Sequence, residues 1–171
     1  MIAIAGLPPA APTLDVLNAP SVRLFFQRMV DELWSGGTGS ATRMARALVL
    51  IDPSYEDKQD YRRVIATLED AFRRFATGTY AVWYPIIPRP EAHELPRRLR
   101  TLANQSRRSW VHATLAIGRG EEGDTGLSAS GMFVINPPYT LAEQLRAALA
   151  VVGPALARGN GKGWQVEAGG A

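Results

Sequence analysis

Apolar positions fall into short runs and stripes that alternate along most of the chain. Ala47–Ile51 is a continuous apolar run, which predicts a strand buried on both faces of a parallel sheet. From Asp57 to Phe75, Tyr61, Ile65, Leu68, Phe72 and Phe75 recur at helical spacing and predict an amphipathic helix. Thr79–Tyr84 is aromatic and β-branched, hence a second strand. Glu91–Ser106 reads as a basic helix, Trp110–Ile117 as a third strand and Ala129–Ile135 as a fourth. Thr140 followed by Glu143 predicts a capping box that opens a last helix, with Leu141, Leu145, Leu149 and Val152 as its buried stripe. The glycine-rich tail after Ala157 carries one short edge strand near Trp164–Val166. Alternating strands and helices predict an α/β fold with a mostly parallel sheet. Only a glycine loop joins Trp110–Ile117 to Ala129–Ile135, so that C-terminal pair is expected to be antiparallel.

The first 45 residues have another character. Pro8, Pro9, Pro12 and Pro20 punctuate a stretch without a clear period. One helix is expected there, Ser21–Trp34, with Val22, Phe25, Phe26, Met29, Val30 and Leu33 at helical spacing, followed by a flexible break at Ser35–Ser40. We therefore divide the chain into residues 1–45, partly disordered with one helix, and residues 46–171. Gly118–Ser128, with four glycines and three acids, is expected to be a mobile loop. Met1–Pro12 lacks a basic start and an uninterrupted apolar core, so it does not read as a signal peptide. Ala147–Ala157 is too short for a membrane span, which leaves a cytoplasmic protein as the expectation.

Composition narrows the chemistry. With 171 residues, 46% of them hydrophobic and 20% charged, the chain has the make-up of one globular domain and not of a disordered segment. It has no Cys, which excludes disulfides, a thiol nucleophile and thiolate metal sites. Its two histidines stand at no metal-binding spacing, so no metal is expected and both read as structural. Nineteen Lys+Arg against 16 Asp+Glu leave a net charge of +3, too small to announce a nucleic-acid binder. Charge is concentrated locally: residues 89–108 hold six Arg against two Glu, +4, a patch suited equally to RNA phosphates and to a solvated helix face. Arg62, Arg63, Arg73 and Arg74 lie mostly off the apolar stripe and read as solvent-facing.

In open α/β sheets ligands bind beyond the carboxyl ends of the strands. The segment after Ile51 is Asp52-Pro53-Ser54-Tyr55. An acid or amide, then Pro, then an aromatic residue at such a place suits methyl transfer to an amino group. The exocyclic nitrogen of adenine is a poor nucleophile because its lone pair is delocalised into the ring. Oxygen acceptors at Asp52 and at the Pro53 carbonyl would take its two N–H bonds and aim the lone pair at a methyl donor. Tyr55 would stack on a base taken out of its helix. The same four residues also make an ordinary strand-to-helix turn. Asn136-Pro137-Pro138-Tyr139 matches the pattern more closely, but it follows the antiparallel strand, whose carboxyl end faces the other way.

Three blocks, Leu48–Glu56, Phe75–Pro85 and Ser128–Tyr139, stand in an order and spacing that resemble the RlmJ family of 23S ribosomal RNA adenine-N6 methyltransferases. The resemblance runs from about Ala47 to Trp164 and implies part of a class I, Rossmann-like methyltransferase sheet that uses S-adenosylmethionine. It also implies that Asp52 is catalytic and touches the cofactor, that Pro53 and Tyr55 bind the adenine, and that 23S rRNA is the partner. Ser54 stands where the family has a second Pro, which would restrict the backbone of Pro53. Residues 1–45 match none of the family's glycine-rich cofactor loop, and Gly36-Gly37-Thr38-Gly39 follows a predicted helix where that loop follows a strand. A half-domain would bare a hydrophobic edge at Ala47–Ile51. Two alternatives therefore stand beside the enzyme: a non-catalytic remnant or RNA-binding fragment, and a role in the use of external DNA, to which the family has been linked. The oligomeric state is not legible.

Overall fold

The computed structural model describes residues 2–5, 48–119, 126–159, 161 and 163–170. The helix expected at Ser21–Trp34, the Gly36–Gly39 string and most of the Gly118–Ser128 loop lie outside them. The chain divides into two units, Met1–Tyr80 and Ala81–Ala171.

In the first unit, β1 (Ile2–Ala5) pairs antiparallel with β2 (Leu48–Ile51), Ile2 opposite Ile51 and Ala5 opposite Leu48. The sequence analysis does not foresee β1. Four apolar residues are enough to extend a ladder once a neighbour offers free backbone groups, so one edge of β2 is covered where a bare edge was expected. Burial along β2 alternates: Val49 and Ile51 are buried while Leu48 is 42% exposed. The strand therefore has one well-buried face instead of the two expected from its apolar run. Helix α1 (Lys58–Arg74) starts on an Asp57 cap whose carboxylate accepts from the Gln59 N–H at 2.8 Å. Its buried side is Tyr61, Val64, Ile65, Leu68 and Ala71, close to the predicted stripe. Strand β3 (Thr79–Pro85) begins in this unit, where the Tyr80 hydroxyl donates to the Phe75 carbonyl at 2.6 Å and ties off the end of α1.

The second unit contains α2 (Pro90–Gln105), β4 (Trp110–Ala116), β5 (Ala129–Ile135), α3 (Leu141–Leu156) and β6 (Gly163–Gly169). Its strands lie in the order β3-β5-β4-β6. Both β5 and β6 run antiparallel to β4 over seven residues, so the C-terminal strand is the expected edge strand but longer than the segment near Trp164–Val166. The fold is mixed α/β, less parallel than the alternation suggests. Helix α3 departs from expectation at its start and along its face. Thr140 sits in helical backbone (φ −85°, ψ −11°) and its side chain makes no cap bond, so the predicted capping box does not form. Leu141, Leu145 and Leu149 are half-buried and Val152 is exposed. The buried position is Gly153, whose missing side chain makes room for Trp164 of β6: a Cβ there would lie 2.6 Å from the ring.

Three side chains lock the second unit. The Tyr84 hydroxyl and His112 Nε2 are 2.7 Å apart, with their rings nearly parallel, and Phe133 lies against the imidazole. A Cβ on Gly131 would come within 2.3 Å of the Tyr84 ring, so glycine at this point of β5 is what lets the tyrosine lie across the strand. Burial holds the His112 imidazole below its ordinary pKa, opposed by Glu167 and reinforced by Arg100, and burial pushes the Tyr84 phenol up. Gly131→Ala should therefore destabilise the protein by about 1–3 kcal/mol in urea unfolding, as overpacking does. The pH prediction follows from the lowered imidazole. Between its folded and unfolded pKa values the unfolded chain binds more protons, so stability rises with pH. Melting temperature should fall as pH drops from about 7.5 to about 5.5, and His112→Gln should flatten that slope.

Candidate functional site

β2 ends at Ile51 and α1 begins at Lys58, and the six residues between them form the turn in which the sequence places the site. Asp52 and Pro53 are half-buried and Ser54 is exposed. Tyr55 differs from all three. Its backbone is left-handed (φ 56°) and its side chain is only 2% exposed, with the ring centroid 4.8 Å from that of Tyr61. A bulky residue with positive φ is strained by roughly 1–2 kcal/mol. Burying an aromatic side chain returns more than that. The reversed backbone folds the ring inward against α1 and leaves the preceding Asp-Pro pair at the surface. An adenine could stack on Tyr55 only after the ring had left Tyr61.

The far side of the turn is pinned by a residue that sequence reasoning assigned to solvent. Arg63 is half-buried and donates to Asp57 at 3.2 Å, to Asp60 at 2.9 Å and to Gln59 at 3.2 Å. Asp60 is itself buried, so this guanidinium neutralises the carboxylate in the first turn of α1 and holds the cap closed. The signal was present in the spacing, since Asp60 and Arg63 stand three residues apart on a helix. Arg74 also proves partly buried, bonded to Asp70 at 2.7 Å, and draws the Asp70 carboxyl below its ordinary pKa.

The second motif lies at the end of β5. Asn136 also has left-handed backbone (φ 52°), and its N–H donates to Ser109 at 3.0 Å, beside the start of β4. Tyr139 is 98% exposed. Ile86, just past the carboxyl end of β3, donates to Ala129 at the beginning of β5. Asn136 therefore sits at the end of β5 remote from the carboxyl end of β3, as the antiparallel connection implies. The two histidines stand apart: His112 is bonded to Tyr84 and His93 is exposed on α2. Among the described residues no cluster of His, Asp and Glu could hold a metal ion, and no helix is long and apolar enough to cross a membrane.

Comparison with known proteins covers most of this region. The sequence model of the family described as ribosomal RNA large subunit methyltransferase D, RlmJ, matches residues 32–168. The match begins ahead of Ala47, where the recognisable motif blocks start. The chain is 40% identical over 122 residues to ribosomal RNA large subunit methyltransferase J of Haemophilus influenzae, covering 71% of this chain and 42% of that protein. It is 39% identical over 104 residues to the protein of the same name from Escherichia coli, covering 61% and 36%. Among solved structures, protein LPL1258 from Legionella pneumophila, of family DUF519, superposes with a TM-score of 0.59 at 25% identity, covering 83% of this chain and 49% of that one. The chain thus spans about two-fifths of the length of the curated relatives it matches.

The geometry of the turn separates folding from chemistry at Tyr55. Tyr55→Ala should cost about 3–5 kcal/mol in chemical denaturation, as for other buried aromatics, because it removes the ring that offsets the left-handed backbone. Tyr55→Phe should cost about 1 kcal/mol. Equal small losses for both would show that the ring does not hold the turn.

Proposed function

Because the chain belongs to the RlmJ family of ribosomal RNA large subunit methyltransferases, we propose that its Asp52–Tyr55 turn is the amino-group-binding part of an enzyme that methylates N6 of an adenine in 23S rRNA. The observation that carries this reading is the division within the turn: Asp52 and Pro53 keep access to solvent at the end of β2 while Tyr55 is folded away. In this proposal one oxygen of Asp52 and the carbonyl of Pro53 accept the two N–H bonds of the adenine amino group. Two acceptors on one nitrogen oppose its conjugation with the ring and fix the direction of its lone pair, which is catalysis by orientation and electrostatics. Ser54, without the ring of a second Pro, holds the Pro53 carbonyl less rigidly. Tyr55 contributes by setting the turn, and takes the adenine-stacking role only if its ring turns outward.

S-adenosylmethionine is the methyl donor that the family implies, supplying an electrophilic sulfonium methyl group when bound. The described residues fit one part of its surroundings. In this proposal Asp52 touches it, while among the described residues the strand-to-helix turns 52–57, 86–89 and 136–140 contain no glycine that would let backbone close around a cofactor. The second reading is an RNA-binding fragment without catalysis.

Calorimetric titration of the folded chain with S-adenosylmethionine separates the two. Heat of binding is expected, and its absence from a folded sample would sink the enzymatic reading for this chain. With an adenine-containing rRNA fragment and labelled donor, Asp52→Ala should lower methyl transfer by about a hundredfold or more, the scale of losing a transition-state hydrogen-bond partner. Asn136→Ala should leave transfer unchanged. The opposite pattern would move the site to the end of β5.

A further inference from the structure

The arginines of the two long helices are treated differently. On α1 three of the four arginines are held, Arg63 by Asp57 and Asp60 and both Arg73 and Arg74 by Asp70, which leaves Arg62 as a single exposed one. On α2, Arg100 is spent internally: it bonds to Glu167 of β6 at 2.5 Å and lies 4.9 Å above the Trp110 ring. Arg89 and Arg108 are half-buried. What remains of the +4 segment is Arg97 and Arg98 in the middle of α2 and Arg107 just beyond its end. All three are exposed, and no carboxylate among the described residues lies within ion-pair distance of them. Glu94 stands three and four residues before Arg97 and Arg98, the spacing that pairs charges on a helix, and yet it binds neither.

The backbone that carries this row is set by α2 and by the turn just past it. Arg107 has left-handed backbone (φ 52°), held by its N–H on Asn104 at 3.0 Å and by the Arg108 N–H on Ala103 at 2.9 Å. From Arg97 to the end of α2 the helix advances about 12 Å, the rise of three or four nucleotides at about 3.4 Å each. The exposed Thr101 and Gln105 lie between the arginines and offer hydrogen bonds to sugar or phosphate. Three uncompensated guanidinium groups, two on the helix and one just past it, spaced by neutral polar groups, are complementary to a run of phosphates and not to a single anion.

We infer that Arg97, Arg98 and Arg107 form a phosphate-backbone track for single-stranded or locally opened RNA. This rests on the reading of the protein as an rRNA-modifying domain, and it adds a positioning surface separate from the Asp52 turn. Such contacts orient RNA without reading its sequence.

The test uses the full chain and a fluorescein-labelled single-stranded RNA oligonucleotide, with binding followed by anisotropy between about 50 and about 200 mM salt. Replacing all three residues by Gln should weaken binding about tenfold or more and make the log–log salt dependence shallower by about 2, some 0.7 for each phosphate that no longer meets a cation. The triple Lys variant should keep the slope of the original, because it keeps the charges. Circular dichroism should show all variants folded, since the positions are exposed. Arginine-dependent RNA binding without methyl transfer would leave the track standing and remove the enzymatic reading. A triple Gln variant with unchanged affinity and slope would overturn the track whatever the enzyme does. So would retention of poly-glutamate in place of RNA, which would assign the arginines to an acidic protein.

Discussion

The packing of Tyr55 on Tyr61 is the interaction on which the rest of the candidate site depends. Left-handed backbone at a bulky residue is unfavourable in isolation and persists where something over-determines it. Here it is a ring buried to 2% exposure at the foot of α1. Reversing the chain at this residue delivers Asp57 to cap α1 and leaves the half-buried Asp52-Pro53 step between β2 and that cap. The polar groups of the turn are thus placed by an apolar interaction. A substitution at Tyr61 would reach Asp52 without touching it, by removing the surface on which Tyr55 rests.

Electrostatics divide the molecule along a different line. On α1 three of the four arginines have an acid one helical turn away and serve structure, while Arg62 is exposed. The clamp at Arg63 matters most because Asp60 is buried, and a buried carboxylate left alone would be costly. On α2 the acids, Glu91 and Glu94, lie in the first turns, Arg97 and Arg98 in the middle and Arg107 past the exit. Only Arg100 is drawn inward, where Glu167 and the face of Trp110 receive it. Two helices of similar composition thereby differ in the charge they offer to a partner.

Much of this was legible from periodicity. The stripe of α1, the strands from Thr79, Trp110 and Ala129, and the antiparallel turn through a glycine loop are all local patterns, and each appears where the spacing puts it. The family was legible too, because three long blocks are harder to match by accident than one tetrapeptide. What escaped was non-local. β1 needed a partner strand before four apolar residues meant anything. Thr140 has the composition of a cap, but the chain reaches it already in helical geometry, with the Leu141 N–H bonded to Pro138. The stripe of α3 shifts to Gly153 because Trp164, eleven residues on, needs the space. The inward turn of Tyr55 depends on a backbone angle that no residue-type pattern encodes for tyrosine.

Asp52-Pro53-Ser54-Tyr55 and Asn136-Pro137-Pro138-Tyr139 show why a motif must be judged by its strand. Both carry one residue in left-handed backbone, Tyr55 in the first and Asn136 in the second. Reversal at the last residue buries the ring, and reversal at the first throws the chain outward and leaves Tyr139 bare. On exposure alone the second turn looks more like a stacking platform. Strand polarity argues the other way. A helix that follows a strand starts at its carboxyl end, where backbone donors and open loops gather, and α2 follows β3 in this way. β5 starts beside that end and runs away from it, so Asn136 emerges at the opposite end of β3, against the residues that lead into β4. Asp52 closes a strand that α1 follows directly, as Asn136 does ahead of α3, so the strand-to-helix step is common to both and the reversed direction of β5 sets them apart. The closer match to the motif thus lies on the strand that runs against β4, and under the proposed function the imperfect one carries the chemistry.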